Sequence, residues 1–162
     1  MKYFAYGSNM SAKRLNSRIP AVRLGVVRLQ GYMLVFTKPS ELDGSAKCDI
    51  CSTESPDDTV YGVLYEIEES HKAVLDKFEG LGYGYTSELI TVSFNGQSVK
   101  AVTYKAVTAD HTLKPFNWYK THVIRGAEEN NMPPEYIEKI WKVESRRDPD
   151  IKRSAGELSI YL

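Results

Sequence analysis

The pair Asn95-Gly96 constrains the fold of this chain more than any other local feature. Asn-Gly favours positive φ at both central positions of a two-residue turn, so the segments on either side pair as antiparallel neighbours. Those segments, Thr86–Phe94 and Gln97–Val107, are rich in β-branched and aromatic residues. Val60–Ile67 (Val60-Tyr61-Gly62-Val63-Leu64-Tyr65-Glu66-Ile67) has the same composition and predicts another strand. Further strands are expected at Lys2–Tyr6, at Cys48–Thr53, and at Val22–Gln30 and Tyr32–Thr37, which Gly31 separates. Lys38–Ala46 reads as a loop and Ser55-Pro56-Asp57-Asp58 as a turn.

Fewer helices are expected. Ser11 caps a short one running to about Ser17. Ser70 reads as the N-cap of a second, in which Val74, Leu75 and Phe78 form one apolar face and Gly80 and Gly82 end it. Phe116–Ala127 and Pro134–Glu144 complete the set. In the last, Tyr136, Ile137, Ile140 and Trp141 form a stripe that reads as core packing. The chain beyond Arg147 is polar and is expected to be loosely held. About six or seven strands with few helices predict a mainly antiparallel α+β domain, with a small barrel as one form. Residues 1–162 form a single domain with a polar C-terminal tail from about residue 146.

Charge narrows the function classes. With 21 basic and 21 acidic residues the formal net charge is zero, which argues against nucleic-acid binding, since that requires a basic surplus. No apolar run approaches the ~18 residues of a membrane span, and no secretory leader is visible. The expected compartment is the cytoplasm, where thiols stay reduced. Cys48 and Cys51 form a single Cys-x-x-Cys, and His71, His111 and His122 are scattered. Zinc needs four ligands, or three and a water, so no metal site is expected. In a strand, residues three apart point to opposite faces, so the two cysteines read as unremarkable thiols. Ser8 lacks the flanking pattern of a hydrolase nucleophile.

Two stretches do carry chemistry. The first is Tyr3-Phe4-Ala5-Tyr6-Gly7-Ser8-Asn9. An apolar strand that stops at Gly-Ser-Asn leaves backbone N–H groups unpaired, and such a turn before a helix suits an anionic group. The second is Leu75-Asp76-Lys77-Phe78-Glu79-Gly80. Glu79 ends a helix, where its negative charge is misplaced against the helix dipole by about 0.3–1 kcal/mol, and periodicity alone favours reading it as an exposed carboxylate at a frayed helix end. Gly82-Tyr83-Gly84-Tyr85 follows at once, and Tyr104 and Tyr119 come later. With 11 tyrosines in all, a pocket lined by phenols is a reasonable expectation.

Together these stretches resemble the γ-glutamylcyclotransferases. The resemblance rests on Tyr3 to Asn9, on Val60 to Tyr65, on Leu75 to Gly80 with Tyr85, and on Gly126-Ala127-Glu128-Glu129-Asn130 followed by Pro133-Pro134-Glu135-Tyr136. It spans about Tyr3 to Glu144. It implies a small mixed, mostly antiparallel β-barrel with surrounding helices. It also implies conversion of a γ-glutamyl amide into 5-oxoproline and a free amine, with no metal or organic cofactor. By motif, Glu79 matches the family's base. The turn from Tyr3 through Phe4, Ala5, Tyr6, Gly7 and Ser8 to Asn9 matches its substrate holder, and Tyr85, Tyr104 and Tyr119 match aromatic positions of the site. The implied partner is a small γ-glutamyl molecule. The family's glutathione-specific branch carries a Gly-Tyr-Gly-Ser-Leu type of turn. Ala5-Tyr6-Gly7-Ser8-Asn9 departs from it, which disfavours glutathione. Amines, amino acids, isopeptides and a carrier-bound intermediate all remain open as the leaving side, and a non-catalytic binding module of the same fold is the competing reading. The oligomeric state has no signature in the sequence.

Overall fold

The computed structural model describes residues 1–162. Its elements in chain order are β1 (Lys2–Ala5), α1 (Ala12–Asn16), β2 (Val22–Gln30), β3 (Tyr32–Pro39), β4 (Ala46–Ser52), β5 (Thr59–Glu66), α2 (Glu69–Glu79), β6 (Tyr85–Phe94), β7 (Gln97–Ala106), α3 (Asn117–Glu129), α4 (Pro134–Trp141) and α5 (Ile151–Leu158). Short 3₁₀ turns occupy Ser8–Met10 and Ser159–Tyr161. The hairpin forms as expected, with φ of 51° at Asn95 and 75° at Gly96. It carries an unbroken antiparallel ladder from Phe94 opposite Gln97 to Tyr85 opposite Ala106.

Five strands form one sheet in the order β2-β5-β1-β7-β6, and β3 pairs with β4 in a separate two-stranded sheet. Every pairing is antiparallel except that of β1 with β7. β1 lies at the centre because its short run has no charge after Lys2, and Tyr3, Phe4 and Ala5 are all buried. Gly62 of β5 lets β1 approach closely: a Cβ there would lie 2.4 Å from the Phe4 ring and 2.6 Å from the Ala5 carbonyl.

The expected barrel is not what forms, because the strand pairing leaves the sheet open. Its two edges, β2 and β6, share no ladder. They meet through side chains: the Phe94 ring comes within 3.0 Å of the place a Cβ would occupy on Gly25. The ladder of β2 on β5 shifts register between Arg23 and Gly25, a bulge of the kind that bends an edge strand.

Other local expectations also shift. Glu68, not Ser70, is the N-cap of α2. Of its three apolar residues only Leu75 is buried, while Val74 and Phe78 are exposed. Likewise Tyr136 and Ile140 of α4 are buried but Trp141 is exposed. β3 runs on to Pro39, so the loop shrinks to 40–45. The C-terminal tail is not loose. Asp150 caps α5 by accepting from the Arg153 N–H at 3.0 Å. The buried Asp148 accepts from Trp118 Nε1 at 2.8 Å and from Arg153 Nε at 2.7 Å. Arg14 pairs with Glu157, and His122 Nδ1 lies 2.7 Å from the Tyr161 hydroxyl. Polar pairs to distant residues hold this segment, with Leu158 packed against the core and Ile151 exposed, and the helical spacing of Ile151, Ala155 and Leu158 is the signal that the sequence offered for it.

Because β1 and β7 run parallel, their C-terminal ends emerge at the same end of the sheet. There the chain leaves β1 for the Tyr6–Asn9 turn, β7 reaches Tyr104, and β6 begins at Tyr85.

Candidate active site

A small, open cleft lies at that end of the sheet. Tyr3, Tyr6, Gly7, Ser8, Asn9, Glu79, Tyr85, Tyr104 and Tyr119 line it, together with Cys48. Phe4 and Ala5 do not line it: they are packed in the core beneath, against β5. The topology therefore gathers into one space eight of the ten residues expected to hold substrate, along with the candidate base.

Glu79 is the last residue of α2. Gly80 follows in the left-handed region, with φ 64° and ψ 51°, and its N–H returns to the carbonyls of Asp76 and Lys77. A side chain at Gly80 would be strained by that φ and would also lie 2.9 Å from the Tyr83 ring, so glycine is required. The turn swings the chain to Tyr85 and leaves the Glu79 carboxylate facing the cleft with 15% of its side chain exposed.

One oxygen of that carboxylate is committed. Oε1 accepts from Asn9 Nδ2 at 3.1 Å and pairs with Arg18 Nη1 at 3.4 Å. The guanidinium offsets the misplacement of a negative charge at a helix C-terminus. Asn9 is fully used: Nδ2 also donates to the Tyr3 hydroxyl at 3.1 Å, and Oδ1 accepts from Arg18 Nη1 at 3.1 Å. Asn9 thus orients Glu79. Oε2 makes no hydrogen bond within the protein and is free for a proton. Sequence reasoning missed Arg18, which sits in the turn after α1 where nothing but its charge marks it. It also missed the purpose of Phe78, whose exposed ring lies 5.1 Å from the Arg18 guanidinium.

The tyrosines divide into two sets. Tyr6 donates to the Tyr104 carbonyl, Tyr104 to Asp76, and Tyr85 to the Cys48 carbonyl at 2.6 Å. These three hydroxyl protons are spent inside the protein. Tyr3 and Tyr119 instead accept, from Asn9 Nδ2 and from the Cys48 N–H (2.9 Å), so each keeps an O–H to offer. Burial pushes all five phenols above their ordinary pKa, so they remain protonated donors. The Ser8 hydroxyl and the Gly7 N–H have no acceptor in the protein. Gly7 has φ −112°, so its role is close approach: a Cβ would lie 3.0 Å from Cys48 Cβ. The helix after it is only the 3₁₀ turn Ser8–Met10, too short for the dipole that the sequence suggested, so the unpaired N–H group is what the turn supplies.

Cys48 enters the site through its peptide, which ties Tyr85 and Tyr119 in place. Burial pushes its thiol up to about 12, so no thiolate is present at neutral pH. Cys51, on the opposite face of β4, is exposed, as the alternation of a strand requires.

Four of these residues, Ser8, Glu79, Tyr85 and Tyr119, also border a larger outer cleft with about 1560 Å³ of open space. The ordered C-terminal tail supplies part of its wall through Arg153 and Glu157. No helix in the structure is long and apolar enough to cross a membrane.

The chain is similar to known proteins over most of its length. Residues 59–140 match the model of the AIG2-like family. The chain is 36% identical over 147 residues to a γ-glutamylcyclotransferase of Bos taurus, covering 88% of this chain and 78% of that one. It is 33% identical over 147 residues to a γ-glutamylcyclotransferase of Homo sapiens, with the same coverage of each. A solved structure named γ-glutamyl cyclotransferase superposes with a TM-score of 0.81 at 28% identity, covering 94% of this chain and 96% of that one. By this family match and these identities over most of its length, the chain belongs to the AIG2-like, γ-glutamylcyclotransferase family.

Proposed function

We propose that the protein converts a γ-glutamyl amide into 5-oxoproline and a free amine, and that Glu79 is its base and acid. The observation that carries this reading is the asymmetry of Glu79, with Oε1 anchored by Asn9 and Arg18 and Oε2 unpaired toward the cleft. No side chain of the cleft serves better as a nucleophile. The Cys48 thiol is un-ionised, and no base is bonded to Ser8.

The substrate supplies its own nucleophile. Its α-amine gives a proton to Glu79 Oε2 and attacks the γ-carbonyl carbon, forming the C–N bond of a five-membered lactam. The carbonyl oxygen takes up the electron pair. When it returns the pair, the bond to the leaving nitrogen breaks, and Glu79 passes the proton to that nitrogen. No water is consumed. Holding the chain curled supplies most of the acceleration, since proximity of this kind is worth up to about 7–11 kcal/mol. The Gly7 N–H, the Ser8 hydroxyl and the Tyr3 and Tyr119 phenols are the donors available to the α-carboxylate and the developing oxyanion. One such donor is typically worth 10²–10³ in rate. We place the activity in the cytoplasm, where the exposed Cys51 thiol stays reduced.

Glu79→Gln is the test. Its amide keeps a carbonyl to accept from Asn9 but takes up no proton, so 5-oxoproline release falls by about 10²–10⁴, far more than follows from the loss of melting temperature expected when Arg18 loses its counter-charge. Full activity in this variant refutes the assignment. A substrate whose α-amine is replaced by hydrogen gives no product, and its hydrolysis would instead point to attack by water.

A further inference from the structure

The outer cleft carries several cations, and most are already paired. Arg14 pairs with Glu157, Lys47 with Asp43 and Arg153 with Asp148. Arg18 is held by Glu79. Lys38 is different. It lines the outer cleft and is half-buried, yet its ammonium forms no hydrogen bond and no ion pair. It stands 5.0 Å from the centroid of the Tyr85 ring. The Cβ direction of Gly84 is bounded on one side by the Glu79 carbonyl, at 3.0 Å, and on the other by Lys38 Nζ, at 3.1 Å. The free cation therefore sits beside the inner cleft at its junction with the outer one, next to the residue that handles the proton.

The backbone puts it there. The ladder of β3 on β4 shifts register between Phe36 and Lys38, and such a bulge re-aims the side chain that follows it. Burial pulls the Lys38 pKa down, with Glu79, Glu41 and Asp43 acting through space in the opposite direction. A partly desolvated ammonium that has a ring face beside it but no hydrogen bond or ion pair is costly, which marks it as a group awaiting an anion.

We propose that Lys38 is a specificity residue that binds an anionic group on the departing amine, so that the protein prefers leaving groups bearing a carboxylate over plain amines. This rests on the cyclotransferase reading, because the departing amine then lies on the outer side of the γ-carbonyl. The inner cleft takes the glutamyl end, and the carboxylate of a departing amino acid reaches Lys38 across the shared rim at Tyr85. Lys77 also lines the outer cleft without an ion pair, but it is exposed and bears no comparable desolvation.

The experiment uses the full chain and two non-cyclising probes, glutaryl-alanine and glutaryl-ethylamide, which differ only in the carboxylate on the leaving side. By calorimetric titration the wild type binds glutaryl-alanine about 10–100-fold more tightly, the range of a hydrogen bond to a charged group. Raising the salt concentration erodes that preference. In Lys38→Met the ratio falls to within about threefold of unity, and Lys38→Arg, which keeps the charge, restores it. A wild type that does not discriminate, or a Lys38→Met that discriminates as well as wild type, overturns the proposal. The salt titration uses the wild type alone, so it tests the proposal even where a variant misfolds. 5-Oxoproline release from γ-glutamyl-alanine is followed in parallel. Its absence refutes the cyclotransferase reading alone, and the binding ratio still decides the role of Lys38.

Discussion

Tyr85 and Tyr119 line the same cleft and bond to the same residue, Cys48, yet their hydroxyls are used in opposite senses. Tyr85 donates its proton to the carbonyl, and Tyr119 accepts from the N–H and keeps its own. Tyr119→Phe is therefore expected to lower kcat/KM for 5-oxoproline formation by about 10–100-fold, the worth of one donor to a charged centre. Tyr85→Phe strands only a carbonyl. It is expected to cost about 1–3 kcal/mol in denaturant unfolding with a much smaller change in kcat/KM. Equal kinetic effects from the two variants would show that this division of roles is wrong. The sequence displayed both residues as aromatic positions but not this difference, since bond direction depends on which backbone group each hydroxyl meets 37 or 71 residues away. Asn9 shows the same limit: it was expected to touch substrate, and in the fold its amide is consumed by Tyr3, Glu79 and Arg18.

Among the elements, α3 decides how firmly the turn after β1 is seated. Gly126 lies inside this helix, where Ala is normally favoured by about 1 kcal/mol. Here a Cβ would lie 2.6 Å from Met10 Cβ and from the Ser11 N–H nitrogen, so the helix presses on the segment just past Asn9. Gly126→Ala is expected to reverse the usual sign and destabilise by about 1–3 kcal/mol through overpacking, and to reduce turnover by displacing the turn. Unfolding in urea with a parallel product assay checks both, and a more stable Gly126→Ala protein would contradict the close approach. Elements whose evidence is local were legible from sequence: the Asn95-Gly96 hairpin, the strand Thr59–Glu66 and the Gly80 stop of α2 all form. The apolar face expected of α2 does not form. Its periodicity shows that Val74 and Phe78 share a side with Leu75, but not whether anything packs there. The neighbour of Phe78 is a guanidinium rather than core.

In the molecule as a whole, the C-terminal segment clasps the region behind the outer cleft. His122 is fully buried, and its Nε2 lies 2.9 Å from Arg14 Nη1 and 3.2 Å from Glu157. Burial pushes the His122 pKa below its usual 6.5. The unfolded chain therefore takes up that proton first, and the stabilisation, complete above pH 6.5, declines as pH falls below it. For Glu157 burial acts to raise the pKa, but the hydrogen bond with His122 and the Arg14 charge outweigh it and hold the carboxyl at about 2. Its contribution is present above about 4.5 and is lost as pH falls toward 2. The melting temperature is thus expected to drop in two stages on acidification. Glu157→Gln should flatten the lower stage and, by leaving Arg14 without its partner, lower the neutral-pH melting temperature by about 10 °C. An acid limb unchanged in that variant would show that the clasp does not govern it.

The sequence by itself determined where the chain turns, which residue types, a carboxylate and a ring of phenols beside a Gly-Ser turn, were available for chemistry, and most of the segments that become strands and helices, though not the C-terminal helix Ile151–Leu158. These are consequences of period, capping and φ preference, which act over a few residues. The tertiary structure decided that the sheet stays open, that Phe4 and Ala5 belong to the core, that the tail is a wall, and that Arg18 and Lys38 meet the site. Each depends on polar or close contacts between residues far apart in the chain, which cost nothing in local pattern and so leave no trace in it.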